Sequence, residues 1–213
     1  MPARQSPLVI TYRCDEDPSR ALATADPLLG ALIDQVGEFT LGPTGARFEV
    51  LLQSIVSQQL AEAAAEKIWA RVEQAVELTP EAVASTDHDT LFATGLSHRK
   101  VEYMQGIAAG VLACDPDLDQ LDELDDEAVR DALVHLRGVG RWTADMFLIF
   151  ALHREDILPV GDFGLRASTG RMLGLGRPAT AEELEERAAL WRPFCSVATI
   201  YLWRSNGLVP AAG

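Results

Sequence analysis

Lysine is nearly absent: Lys67 and Lys100 are the only two in 213 residues. All basic residues together number 18, against 32 Asp and Glu, and the net charge is −14. That balance excludes a uniformly basic surface of the kind that coats polyanions without discrimination. Cysteine is scarce as well. Cys14, Cys114 and Cys195 lie far apart and form no Cys-x-x-Cys pair. Zinc and iron–sulfur binding therefore lack ligand spacing, no such cofactor is expected, and a reducing, cytoplasmic location is the simplest home. His88, His135 and His153 show no ligand spacing either. No apolar stretch is long enough for a membrane span, and the opening Met-Pro-Ala-Arg-Gln-Ser-Pro lacks the apolar centre of a signal peptide, so no membrane partner is expected. There is no internal repeat and no low-complexity tract.

What is present is helical periodicity. Apolar residues make up 48% of the chain, enough to bury a sizeable core. Asp26 and Pro27 open a helix that Gly37 ends. Further helices are expected over residues 47–59, 61–76, 80–84 and 90–94, the last capped by Asp87, and from Ser97 to about Leu112. Thr180 with Glu183 reads as a capping box for residues 181–190, and Pro193 begins a last helix reaching about Ser205. Only residues 8–12 look like a strand, in what reads as a loose arm. Trp69 and Trp191 read as core. The fold class is all-α, with residues 1–44 as an arm and first helix and residues 45–213 as the core; the N-terminal part is expected to pack with the C-terminal helices as a second lobe. A monomer is expected.

The informative stretch is Leu136-Arg137-Gly138-Val139-Gly140-Arg141-Trp142-Thr143-Ala144-Asp145. Residues 125–136 form an amphipathic pattern, Gly138 can turn left-handed, and helical spacing resumes through Met146, Phe147, Ile149 and Phe150. The amides of Val139, Gly140 and Arg141 open the second helix, and such orphan donors attract an anion. Seventeen residues on stands Asp162, between Gly161 and Gly164 and after Pro159, where another helix begins through Leu165, Arg166, Thr169, Met172 and Leu173. Taken by itself, Asp162 is more readily a plain helix cap. The charge distribution fits an anion hook in the second part of the chain. Residues 1–127 carry 8 Lys and Arg against 23 Asp and Glu, whereas residues 128–213 carry 10 against 9. Eight carboxylates crowd residues 115–127, which reads as a solvated connection.

The string Leu-x-Gly-Val-Gly-x-x-Thr-Ala, followed by Asp162, resembles the helix-hairpin-helix signature of the base-excision DNA glycosylases. Within that superfamily, Gly140-Arg141-Trp142-Thr143-Ala144 is similar to the 3-methyladenine DNA glycosylase II, or alkyladenine, branch. Residues 48–59, ending in Gln58-Gln59, and residues 95–103 resemble further segments of it, and the likeness spans roughly residues 45–207. The resemblance implies a two-lobed helical fold, here too short for the full N-terminal sheet domain of larger relatives. It implies a glycosylase that flips an alkylated base such as 3-methyladenine or 7-methylguanine out of duplex DNA and hydrolyses its N-glycosidic bond. Asp162 becomes the catalytic carboxylate, and Trp142, Met146 and Trp203 the base pocket. Gly138, Val139, Gly140, Arg141 and Thr143 become the phosphate hook. The tip Leu96-Ser97-His98-Arg99 becomes the wedge, with His98 the side chain that fills the vacated stack and Arg99 and Lys100 beside it in reach of phosphate. The backbone carbonyls of Val134 or His135, Leu136 and Val139 are expected to hold a monovalent cation. Relatives that also cut the backbone carry a lysine where this chain has Trp142, so a monofunctional enzyme is expected. The alternative is a non-enzymatic DNA-structure binder that uses the hook alone; it needs neither Asp162 nor Trp142.

Overall fold

Asp26 sets the first well-defined helix boundary. In a computed structural model, which describes residues 10–13, 17–41 and 46–205, its side chain accepts from the amides of Leu28 and Leu29. The chain starts with a short strand β1 (Ile10–Tyr12), helix α1 (Asp17–Ala25), helix α2 (Pro27–Val36) and a second short strand β2 (Phe39–Leu41). Gly37 ends α2 with φ of 74°, as the sequence predicts. Residues 8 and 9 of the expected strand lie outside the described residues. The rest of that segment is not a loose arm: β1 pairs antiparallel with β2, in the register Ile10 to Leu41, Thr11 to Thr40 and Tyr12 to Phe39. Helix α1 is absent from the sequence expectation. Leu22 is its one large apolar residue, and the helix is held by Leu22, buried in the core, and by Ser19, bonded to the Tyr201 hydroxyl at 3.0 Å.

Seven helices follow: α3 (Arg47–Ser57), α4 (Glu62–Ala75), α5 (Pro80–Ser85), α6 (His88–Ala93), α7 (His98–Leu112), α8 (Asp126–Val134) and α9 (Arg141–Phe150). Their starts obey local chemistry. Thr79, Asp87, Ser97 and Asp125 each accept an amide from the first turn of the helix they precede. The acidic stretch before α8 keeps most of its carboxylates exposed, as expected of a solvated connection, but it is not without structure. Leu118–Glu123 forms a 3-10 turn with Leu118 and Leu121 buried, and Arg47 pins it through the Leu118 carbonyl and the Asp122 carboxylate. Helix α8 also stops two residues before the expected boundary.

Three helices complete the chain: α10 (Phe163–Met172), α11 (Ala181–Ala188), which opens on the expected Thr180–Glu183 capping box, and α12 (Cys195–Arg204). The fold is all-α apart from the two three-residue strands among the described residues. The chain divides into two units, Gly45–Leu152 forming one, and Ser6–Thr44 with His153–Gly213 the other. In the first, α3 packs against α7 and α9, and α8 against α9, burying Leu51, Leu52, Ile55, Met104, Leu133, Phe147 and Leu148. In the second, Leu22, Leu29, Ile33, Leu165, Leu184, Trp191, Tyr201 and Leu202 form one apolar cluster. Trp191 is core as expected, and its Nε1 donates to buried Asp26, which also pairs with Arg187. Trp69 is only half-buried, a correction to its assignment as core. No helix among the described residues is long and apolar enough to cross a membrane.

Candidate functional site

The hook lies in the first unit, between α8 and α9. Gly138 has φ of +98°, and a Cβ there would stand 2.3 Å from Tyr103 Cγ, so the backbone is pressed onto the tyrosine ring. Gly140 differs. Its φ is −101°, and a Cβ would meet nothing within 4 Å, so the space above it is open. It precedes α9, whose first amides have no carbonyl within the helix to accept them. The Val139 amide is not one of these orphans. It donates to the Leu136 carbonyl at 3.0 Å and closes the turn, a correction to the donor set expected from sequence. Val139 is buried, and so is the side chain of Thr143. Within the hook, the backbone from Gly140 onward is what an anion can meet.

Gln58 follows α3, and its backbone caps that helix. Its side chain does more. Nε2 donates to the Gly138 carbonyl at 2.9 Å and to Thr143 Oγ1 at 3.0 Å, so one amide 80 residues upstream ties both sides of the turn. Gln59 beside it is exposed, with φ of 57°. Lys100 Nζ donates to the carbonyls of Val56 and Gln58, at 2.7 and 2.8 Å, and burial lowers its pKa. Lys100 thus serves the C-terminus of α3, where orphan carbonyls favour a cation, rather than standing ready for phosphate.

His98, expected to fill the stack, is exposed but is no isolated finger. Its ring stacks on Phe92 with centroids 4.3 Å apart and planes 9° from parallel, and its Nδ1 lies 3.2 Å from His88 Nε2. One ring face is already covered. Phe92, with 42% of its surface exposed, and His88 were not expected here; their spacing of four on α6 was the available signal. Arg99 is exposed on the first turn of α7. On α9, Trp142 is half-buried, whereas Met146 retains 5% exposure and is mainly packing. Arg141 is exposed, and its guanidinium is engaged by Glu127. Beneath it, Arg130 and Asp145 form a buried pair at 2.7 Å; burial raises the Asp145 carboxyl against the pull of Arg130.

Asp162 belongs to the second unit. It is the N-cap of α10: Oδ1 accepts the Leu165 amide at 2.5 Å and also the Trp203 indole N–H at 2.9 Å. Gly164 makes room for this. Its absent side chain would sit 3.2 Å from Asp162 Oδ1 and 3.8 Å from Trp203 Nε1. Trp203, expected as a pocket wall, is half-buried and is first of all a donor to the carboxylate. Phe163, the next residue, is 70% exposed, unusual for so large an apolar side chain. Cys195, by contrast, is buried with its thiol pushed up to about 12, mainly by burial, and offers no nucleophile. Among the described residues, no cluster of His, Cys, Asp and Glu could hold a metal ion. The arrangement can bind an anion through backbone at one place and present a fixed carboxylate at another.

The family model described as the HhH-GPD superfamily of base excision DNA repair proteins matches residues 52–193. The chain is similar to DNA-3-methyladenine glycosylase 1 of Schizosaccharomyces pombe, 30% identical over 76% of this chain and 73% of that one. It is also 30% identical to the alkylbase DNA glycosidase-like protein mag2 of the same yeast, over 89% and 94%. Among solved structures, the 3-methyladenine DNA glycosylase of Schizosaccharomyces pombe in complex with abasic-DNA is similar, with a TM-score of 0.84 at 27% identity, over 89% of this chain and 96% of that one. A DNA-3-methyladenine glycosidase from Bacillus halodurans gives 0.76 at 32% identity over 93% of each chain.

Proposed function

The chain belongs to the HhH-GPD superfamily of base excision DNA repair proteins, and from that premise we propose that it is a monofunctional DNA glycosylase excising alkylated bases such as 3-methyladenine and 7-methylguanine from duplex DNA. The observation that carries this reading is Asp162, held as a helix cap by the Leu165 amide and the Trp203 indole between two glycines.

Breaking the bond between deoxyribose and base develops positive charge on the sugar, as in other glycoside hydrolysis. A carboxylate fixed in advance stabilises that charge without reorganising as it forms. The same group can orient or accept a proton from the attacking water. A purine alkylated at N3 or N7 already carries a positive charge and departs readily, so no strong general acid is needed. An indole face favours such a cationic base over a neutral one, the preference Trp203 would bring beside Asp162. The amides opening α9 take a phosphate of the same duplex, and with few lysines available, backbone supplies much of the grip. His98 and Arg99 contribute at the strand beside the lesion.

A monovalent cation at the hairpin is part of this proposal. Helix α8 ends at Val134, leaving its last carbonyls without helical donors, and backbone carbonyls suit such an ion. Val134, Leu136 and Val139 would hold it, and it would supply positive charge beside a phosphate. Absence of a backbone-cutting step is supported by Trp142 in the hairpin and by Lys100, whose ammonium is spent on two carbonyls. The protein is proposed to act as a monomer.

The test is incubation with methylated duplex DNA followed by hot alkali. Free 3-methyladenine or 7-methylguanine and alkali-labile sites are the expected products. Intact bases after prolonged incubation, with DNA nevertheless bound, would leave only the binding role.

A further inference from the structure

Arg141 is the basic side chain on the first turn of α9, and its guanidinium already holds a carboxylate. Nη2 lies 2.9 Å from Glu127 Oε1 and Nη1 3.2 Å from Oε2. This is the two-pronged geometry in which arginine takes a phosphate. Glu127, in the first turn of α8, is held from a second direction, since Arg130 Nη1 donates to Oε1 at 2.7 Å. Arg130 is itself immobilised by its buried contact with Asp145. The carboxylate is thus seated on a fixed guanidinium rather than swinging freely. The Arg141 hydrogen bonds hold the Glu127 carboxyl below its ordinary range, and those same bonds raise Arg141. The four side chains carry two charges of each sign.

We propose that Glu127 is an affinity-setting residue, an internal competitor for the phosphate that Arg141 would otherwise take. This rests on the glycosylase reading above and adds to it. Without Glu127, Arg141 would offer its charge to any duplex. With Glu127 in place, a phosphate must displace the carboxylate to reach the Arg141 guanidinium. This competition weakens undamaged duplex and abasic product alike. The consequence for an enzyme that must search and then let go is faster release.

The test uses the full chain with Glu127→Gln, which keeps an acceptor for Arg130, together with Arg141→Gln and the double variant. Binding of undamaged and abasic duplexes is measured across salt concentration. Glu127→Gln is expected to bind both about fivefold more tightly and to steepen the salt slope by about 0.9, the signature of one further neutralised phosphate. Adding Arg141→Gln should abolish the gain. Single-turnover base release by Glu127→Gln at saturating DNA should stay unchanged while its multiple turnover slows. Equal or weaker binding by a Glu127→Gln protein of native melting temperature would overturn the proposal, as would a gain that survives in the double variant. Glu127→Asp, too short to span both arginines, gives a second reading of the same competition should the amide unsettle α8; it is expected to show a smaller gain, and no change would count against the idea. The affinity shift is read on undamaged DNA, so it stands or falls separately from base release. Normal excision without a shift sinks this inference alone, and no excision by any variant sinks the functional reading.

Discussion

The Trp203 indole N–H donates to the Asp162 carboxylate at 2.9 Å, on the same oxygen that takes the Leu165 amide. A tryptophan expected to stack on a base therefore also orients the group proposed to stabilise the sugar. Trp203→Phe keeps an aromatic face and removes the donor. A hydrogen bond to a charged group contributes about 1.5–3 kcal/mol, so kcat for base release should fall roughly tenfold or more with little change in KM. A rise in KM at unchanged kcat would assign Trp203 to base binding alone.

The two hairpin glycines should fail differently. Gly138→Ala forces a methyl into the Tyr103 ring at positive φ, and should cost about 2 kcal/mol or more of stability. Gly140→Ala meets open space at an ordinary φ, so its melting temperature should stay native. Its methyl would nevertheless take up open space at the start of α9, where an anion would approach, and abasic-duplex affinity should fall about tenfold, the loss of roughly one good contact. Thermal melts with binding isotherms separate the two. Matching stability losses would remove the functional argument for Gly140.

Gln58→Leu keeps bulk but loses both bonds across the turn. The Gly138 carbonyl and Thr143 hydroxyl lose their donor, at a cost of about 1–3 kcal/mol. DNA affinity should drop, with base release at saturating DNA nearly preserved. An unaffected Kd would mean that the turn holds its shape without the clamp.

This last residue shows where the sequence stops being legible. The caps Asp26, Asp87, Ser97 and Thr180, the Gly-Val-Gly turn and the helix start at Asp162 are local chemistry, readable from neighbouring residues. Gln58 reaching Gly138, Trp203 reaching Asp162 and Arg130 pairing with Asp145 depend on tertiary packing, and no spacing rule announces them. Helix α1 and the strand Phe39–Leu41 escaped for a related reason. Each is short and is stabilised by distant partners, Tyr201 for Ser19 and β1 for β2. The charges also misled. Arg141 and Lys100 looked available for phosphate, yet one is held by Glu127 and the other by carbonyls of α3.

Acid should expose the role of Asp26. Burial pushes its carboxyl up, but hydrogen bonds from Arg187, Trp191 and the Leu29 amide outweigh this and hold it below its ordinary 3.8. The unfolded chain therefore binds the proton more readily. The contribution to stability is complete above about pH 4 and is lost as pH falls through the lower, folded value. Asp26→Asn should cost about 3 kcal/mol at pH 7, since Arg187 loses its partner. The gap from the native chain should narrow below pH 3.8. Melting curves of both proteins across that range check this; a gap independent of pH would contradict it.

The most direct measurement is single-turnover release of 3-methyladenine from methylated duplex by Asp162→Asn, with abasic-duplex binding measured on the same protein. Asparagine can still accept the Leu165 amide but carries no charge. Release should slow by about a hundredfold or more while binding stays within about twofold, because the charge acts on the transition state and the grip lies elsewhere. Release as fast as that of the native chain would contradict the account.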